Sequence, residues 1–412
     1  MPTITFLRHA ESQSNVDGIW SGRSDVPLSR HGEETLVALG QRLRAQDFDV
    51  VISSPLQRAR LTAASFTDDN EVEIWDDFIE LDLGRWDGMT VDEVMHDGGG
   101  ELKEALTTRS LPMGGTGETL NQVGQRAISA MDRLADQLGE DGHAAVVTHG
   151  GLLQTVLHRH LAGGKKRIHA FTENTGISRV NWSFGRPRLA TFNDLGHLGP
   201  RSSLVEEHLS NGDPVVVLIR HGRTQANVEG RWQGQGDWGL DDRGRQQAQA
   251  LVDWYGRTST VYSSPLGRAR QTADYVASNG VIEVNDLREL VMGEWEGLTS
   301  PEIAERWGDR METIYRHGVD LKRGETGESW GELTARFRSA VHALETAPGE
   351  PTVVVAHGGA IRSYVSSLTA LDDSHAESLF TPANTSVTHV AMTSDGPLLL
   401  DYAVAPHLES IQ

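Results

Sequence analysis

Short β-branched runs that stop abruptly at polar residues recur along the chain. ITFLRH at residues 4–9 and VVVLIRH at 215–221 read as buried strands, because a strand covered on both faces is apolar at successive positions. DVVISS at 49–54, AAVVTHGG at 144–151 and PTVVVAHGG at 351–359 predict three more. Ser29, followed by a mixed stretch to Gln46, predicts an amphipathic helix capped by the serine hydroxyl. Pro55 suits the first turn of a helix that would carry Arg58. The Gly-Gly pairs at 150–151 and 358–359 mark passages from strand to helix. This alternation predicts an α/β fold, a largely parallel sheet with helices on both faces. The polar residues that stop the strands then fall at carboxyl ends, where open α/β sheets place their sites.

The pattern occurs twice. LRHAESQSN at 7–15 returns as IRHGRTQAN at 219–227, and SSPLQRARLTA at 53–63 as SSPLGRARQTA at 263–273. ELDLGRWDGMT at 80–90 returns as ELVMGEWEGLT at 289–299, VVTHGG at 146–151 as VVAHGG at 354–359, and NTGIS at 174–178 as NTSVT at 384–388. The shift stays near about 210 residues throughout, far beyond the roughly 20–50 of a solenoid repeat, so it marks a duplicated domain. The predicted organisation is a first domain at 1–198, a linker at 199–213 and a second domain at 214–412. The linker reading rests on the polar, turn-rich stretch GPRSSLVEEHLSNGDP at 199–214.

Composition narrows the partners. Thirty-seven basic against 58 acidic residues give a formal net charge of −21 over 412 residues. That opposes nucleic acid and anionic membranes as partners, since both need a basic surface. A phosphorylated substrate must therefore be drawn by a few focused arginines. There is no cysteine, which excludes disulfides, thiolate nucleophiles and thiolate metal sites. No apolar run is long enough to span a membrane, and the opening MPTITFLRH lacks a signal-peptide pattern, so a cytoplasmic protein is expected.

The candidate chemistry sits at the strand ends. A neutral His at such a point, as at His9 and His221, can be a nucleophile, a base or a metal ligand; alone it can equally be a strand cap. Arg8 and Arg220 beside them offer a planar fork that matches phosphate oxygens. Arg58 and Arg268 each lie two residues before another arginine, and positions i and i+2 of a helix point apart, so one of each pair faces the site. The nearer ones to the strand, Arg58 and Arg268, are assigned to it. His149 and His357 end Val-rich strands just before a helix whose free N–H groups would favour an anion. Glu80 and Glu289 head acidic, aromatic stretches; a carboxyl among apolar neighbours can serve as a general acid. The chain has no HExxH, no P-loop and no GxSxG elbow.

On these residues both copies resemble the histidine phosphatase superfamily, with its phosphoglycerate mutase-like fold. The RHG signature matches Arg220-His221-Gly222 and, with one change, Arg8-His9-Ala10. Its downstream Ser/Thr and Asn match Ser12 and Asn15, then Thr224 and Asn227. The Ser-x-x-x-Arg-Ala-x-x-Thr-Ala helix matches 54–63 and 264–273; the acidic loop matches Glu80 and Glu289, the second histidine His149 and His357. The resemblance implies two tandem three-layer α/β/α domains, each with a mostly parallel sheet. It implies a phosphoric monoester hydrolase of the histidine acid phosphatase type acting on small phosphate monoesters. His9 or His221 would attack phosphorus and form a phosphohistidine. Arg8, Asn15, Arg58 and His149, or Arg220, Asn227, Arg268 and His357, would hold the phosphoryl oxygens. Glu80 or Glu289 would protonate the leaving oxygen and then deprotonate water. No metal or cofactor is required, because the arginines supply the positive charge. Whether the copies form an intrachain pseudo-dimer stays open.

The family holds mutases too. Known mutases carry an aromatic before the signature Asn and basic residues after the acidic Glu. Here Ser14 and Ala226 precede the Asn, and LDLGRWDG and LVMGEWEG follow the Glu, which resembles the phosphatase branch. Residues 117–119 and 327–329 resemble that branch's substrate-side loop. A mutase, or a phosphate-binding module with residual activity, is the alternative. Specificity is expected in the lid segments 91–113 and 299–325, where the copies diverge. Copy two is expected to be the more active. Ala10 replaces the signature Gly, so a positive φ there would strain it or its methyl would crowd the phosphate, and Ser21 stands where copy two has Gln233.

Overall fold

The computed structural model describes residues 1–162, 170–183, 186–347, 349–369 and 378–411. Among the described residues the chain forms two compact units, the first of residues 1–162 and 171–198, the second of residues 170 and 199–411.

In the first unit, β1 (Thr3–Arg8), β2 (Val50–Ser53), β3 (Val72–Ile74), β4 (His143–Thr148), β5 (Ile177–Ser183) and β6 (Arg186–Asp194) make one sheet. Its order is β3-β2-β4-β1-β5-β6; the first four strands are parallel, and β5 and β6 add an antiparallel edge. The helices are α1 (Gln13–Val16), α2 (Arg30–Leu43), α3 (Gln57–Ala63), α4 (Val91–Thr108), α5 (Leu120–Leu138) and α6 (Gly150–Ala162). Ser29 caps α2, its hydroxyl accepting from the Gly32 amide at 2.9 Å. Successive residues of β1 point to opposite faces. Leu7 packs with Leu39 and Leu43 of α2 and Ala59 and Ala63 of α3, while Phe6 meets the edge of Phe78 with ring centroids 6.3 Å apart. Both faces of the sheet are thus covered, which is why its strands are apolar almost throughout. Fully burying each such large side chain contributes about 1.5–3 kcal/mol over leaving it exposed.

The second unit repeats this plan. It adds α7 (Ser203–Ser210) and contains β7 (Val215–Arg220), α8 (Gln225–Val228), α9 (Asp242–Tyr255), β8 (Val261–Ser263), α10 (Gly267–Val276), β9 (Val281–Glu283), α11 (Ser300–Tyr315), α12 (Trp330–His342), β10 (Thr352–Ala356), α13 (Gly358–Thr369), β11 (Val387–Thr393) and β12 (Gly396–Leu399). The sheet order, β12-β11-β7-β10-β8-β9, is that of the first unit read from the other edge. Two tandem three-layer α/β/α domains are therefore present.

One stretch differs from expectation. Residues 199–213 are not plain linker: they hold α7, capped by Ser202. Val205 and Leu209 lie four apart, so they share a face, and that face is buried in the second core beside β7. The polar composition around them hid a two-residue apolar stripe. No described helix is long and apolar enough to cross a membrane.

Candidate active site

Sheet order assembles the site. β2, β4 and β1 are adjacent and parallel, so their carboxyl ends deliver Ser54, His149 and His9 side by side; β8, β10 and β7 deliver Ser264, His357 and His221. The rings of His9 and His149 stand 5.1 Å apart, those of His221 and His357 5.2 Å. All four imidazoles are buried.

The hydrogen bonds set the tautomer of the first histidine. Nδ1 of His9 lies 2.7 Å from the Ala10 carbonyl, and Nδ1 of His221 2.7 Å from the Gly222 carbonyl. A carbonyl only accepts, so Nδ1 carries the proton and Nε2 keeps its lone pair. Burial, then the charges of Arg58 and Arg8, push the His9 value well below the ordinary 6.5; burial, Arg268 and Arg220 do the same to His221. Both rings are neutral at ordinary pH. The backbone just after is pinned as well. The amide of Ala10 donates to Thr62 Oγ1 at 2.9 Å, and Thr62 donates to the Arg58 carbonyl; Gly222, Thr272 and Arg268 repeat this.

Arg58 and Arg268 are buried, whereas Arg60 is exposed and Arg270 pairs with Asp274 and Glu283. Arg58 donates to the carbonyls of Ser24 at 2.8 Å and Gly22 at 2.9 Å; Arg268 donates to Gly236 and Gly234, both at 2.9 Å. These bonds fix the guanidinium planes. Arg8 donates to the Thr172 carbonyl and Arg220 to the Pro382 carbonyl, each at 2.6 Å. Burial lowers the Arg220 value to about 10, still charged at neutral pH. His149 Nε2 meets Ser54 Oγ at 2.6 Å and His357 Nε2 meets Ser264 Oγ at 2.8 Å. Burial pushes both second histidines well below 6.5. The Nε of Arg8, Arg220 and Arg268 and the Nδ1 of His149 and His357 are buried with no protein partner. Buried polar atoms in that condition are costly unless a ligand satisfies them.

Glu80 and Glu289 occupy a place expected for substrate. The Glu80 carboxylate accepts from the amides of Gly151 and Leu152 at 2.9 Å each, and of Leu81 at 2.8 Å. Glu289 accepts from Gly359 and Leu290, both at 2.8 Å. The acceptor that meets the first-turn amides of α6 and α13 is thus the protein's own carboxyl group. The Gly-Gly pairs make room for it. A Cβ on Gly150 would stand 3.2 Å from Arg8 Nε, and one on Gly151 2.9 Å from Glu80 Oε1.

Asn15 and Asn227 lie at the rim. Their Oδ1 atoms accept from the Ser12 and Thr224 amides in the capping boxes of α1 and α8. Asn174 and Asn384, to which the sequence reading gave no role, donate to the His9 and His221 carbonyls at 2.8 Å and also reach Asn15 and Asn227. Their signal was the repeated Asn-Thr pair. In segments 117–119 and 327–329 the glutamates are engaged within the protein. Glu118 is spent on Arg126 and Glu328 on Arg336, while Thr119 and Ser329 cap α5 and α12.

Backbone strain is absent at Ala10. Positive φ among described non-glycine residues falls at Arg109, Thr175, Asn193, Thr385 and Ala403, not at Ala10; Gly222 has none either. A Cβ on Gly222 would meet the Gly244 carbonyl at 2.7 Å, at the start of α9. A methyl at 222 would therefore be directed at the start of α9. The segments 91–113 and 299–325 carry α4 and α11, each broken by a non-helical residue, Gly98 and Trp307. Among the described residues no three His, Cys, Asp or Glu side chains gather as a metal would need.

The model of the histidine phosphatase superfamily (branch 1) matches twice, at residues 4–195 and 216–404. A metal-independent phosphoserine phosphatase of Arabidopsis thaliana is 33% identical over 204 residues, 48% of this chain and 84% of the relative. Phosphoglycerate mutase-like protein 4 of the same plant is 37% identical over 156 residues, 36% of this chain and 68% of the relative. The glucosyl-3-phosphoglycerate phosphatase of Mycobacterium tuberculosis is 35% identical over 176 residues, 38% of this chain and 75% of the relative.

Proposed function

The chain belongs to the histidine phosphatase superfamily in both of its halves, and on that premise we propose that it is a metal-independent phosphomonoesterase with two catalytic sites. One observation carries the reading. In each unit a neutral histidine with a free Nε2 stands beside a second histidine and two arginines, with buried donors left unpartnered around it.

The chemistry follows from the residues. Nε2 of His9 or His221 attacks phosphorus as the bond to the leaving oxygen breaks. The carbonyl on Nδ1–H stabilises the positive imidazole that forms. Arg8, Arg58 and His149, or Arg220, Arg268 and His357, hold the phosphoryl oxygens as charge spreads over them, with Asn15 or Asn227 at the rim. Glu80 or Glu289 gives its proton to the leaving oxygen. A water then attacks phosphorus, returns a proton to the glutamate, and the P–N bond breaks to release phosphate and neutral histidine. The positive charge needed comes from two guanidinium groups and no step calls for a metal.

Rapid quench with labelled substrate should trap an acid-labile, base-stable phosphoprotein that is lost only when both His9 and His221 are replaced by Ala. Turnover abolished by EDTA and restored by a divalent ion would refute the reading. Phosphoglycerate interconversion that requires a bisphosphate primer, with negligible release of phosphate, would establish a mutase instead.

A further inference from the structure

Outside the catalytic cluster, one ion pair recurs in both units with the same unusual set of partners. Arg126, in the second turn of α5, forms a two-point bridge to Glu118, with Nε to Oε1 and Nη2 to Oε2 both at 3.0 Å. The same guanidinium reaches the chain that carries Glu80. Its Nη1 donates to the Asp77 carbonyl at 2.6 Å and its Nη2 to the carbonyl of Glu80 itself at 3.2 Å. Glu118 grips the other side of that residue: its Oε2 accepts from the Asp82 amide at 3.1 Å.

The second unit is built alike. Arg336 bridges Glu328 at 2.9 and 2.8 Å and donates to the carbonyls of Asp286, Arg288 and Glu289 at 2.8, 3.0 and 3.2 Å. Glu328 accepts from the Val291 amide at 3.0 Å. The side chains of both pairs are 17–20% exposed, so they are shielded enough to hold one geometry. An exposed pair would contribute little and hold nothing.

Glu80 lies in irregular chain between the 3-10 turns Asp76–Phe78 and Gly84–Trp86, and Glu289 between Asn285–Leu287 and Gly293–Trp295, so no strand or helix holds either residue itself. The carboxylate is held at one end by the first turn of α6 or α13. Its backbone is held at the other by a guanidinium anchored on α5 or α12. We infer that Arg126 with Glu118, and Arg336 with Glu328, are positioning residues that set the carboxyls of Glu80 and Glu289 for proton transfer. Resting on the phosphatase reading, this adds four residues to it that touch neither substrate nor the reacting phosphorus. The physical ground is that proton transfer is steep in distance, and a displacement of about 1 Å can cost roughly 100-fold in rate.

The test separates this role from plain support of the fold. In the full chain carrying His9→Ala, so that only the second site reports, Arg336→Gln and Glu328→Gln are compared with their parent. Substrates are an alkyl phosphate, whose leaving oxygen needs the proton, and p-nitrophenyl phosphate, whose leaving group does not. Each variant should lose roughly 10- to 100-fold in kcat on the alkyl ester and only a few-fold on the aryl ester, with KM little changed. Arg336→Lys should recover part of the alkyl activity. Should Arg336→Gln fail to fold, Glu328→Gln decides, since its amide oxygen can still accept from Val291. Equal losses on both esters, or a fall in Tm with the alkyl-to-aryl ratio unchanged, overturns the inference while leaving the phosphatase reading intact. A His9→Ala parent that turns over neither ester, where the unaltered chain also turns over neither, overturns both.

Discussion

A Cβ added to Gly359 would stand 2.6 Å from Oε1 of Glu289, nearer than carbon and oxygen approach without bonding. The glycine is needed there because a carboxylate lies against the helix start. Gly359→Ala must push that carboxylate aside. With the first site disabled by His9→Ala, it should lower kcat on an alkyl phosphate by about 10- to 100-fold and leave p-nitrophenyl phosphate far less affected. Unchanged alkyl turnover would mean that the glutamate does not act in the proton step.

Direct removal of the acid gives the reference for that measurement. Glu289→Gln in the same background should harm the alkyl ester by about 100-fold or more, within the usual range for a general acid. Equal losses on both esters would assign Glu289 a binding or structural role.

Acid should destabilise the fold through its histidines before most carboxylates titrate. His9, His149, His221 and His357 all have values well below 6.5 because burial disfavours the charged ring. Below 6.5 the unfolded chain takes up protons there that the folded chain does not, so stability falls as pH drops from that point. Tm should decline between about pH 7 and about pH 5.5, and His149→Asn with His357→Asn should flatten the slope. A slope unaltered by both substitutions would place the titrating groups elsewhere.

The position after each proposed nucleophile should show a packing effect and no catalytic one. Gly222→Ala brings a methyl to 2.7 Å from the Gly244 carbonyl and should cost about 1–3 kcal/mol of stability in the second unit, as overpacking does. Ala10→Gly should leave first-site turnover within a few-fold. Chemical denaturation of the first variant and steady-state rates of the second, in a His221→Ala background, check the pair.

Both sites should turn over. With no backbone strain at Ala10, the case for a weaker first site narrows to crowding by the Ala10 methyl and to Ser21. At the matching position Gln233 accepts from Thr224 at 3.0 Å. His9→Ala and His221→Ala should each leave measurable activity on some ester, and the double substitution none. A single substitution that removes all turnover on every ester tested would show one site to be silent.

The apolar runs, the polar residues that stop them and the duplication carried the fold class, the two-unit plan and the histidines, arginines and glutamates of both candidate sites. Those features are local in sequence: a doubly buried strand must be apolar throughout, and its last residue must turn outward. The tertiary structure alone decided who occupies whom. The helix N-terminus behind His149 holds Glu80, some 70 positions away in the chain; Glu118 answers to Arg126; a Cβ at Gly222 would face the start of α9; and Val205 with Leu209 makes a helix of an expected linker. Each of these is a contest among partners that chain folding brings together. Its outcome depends on distances across the sheet, which the spacing of residues along one strand or one loop does not contain.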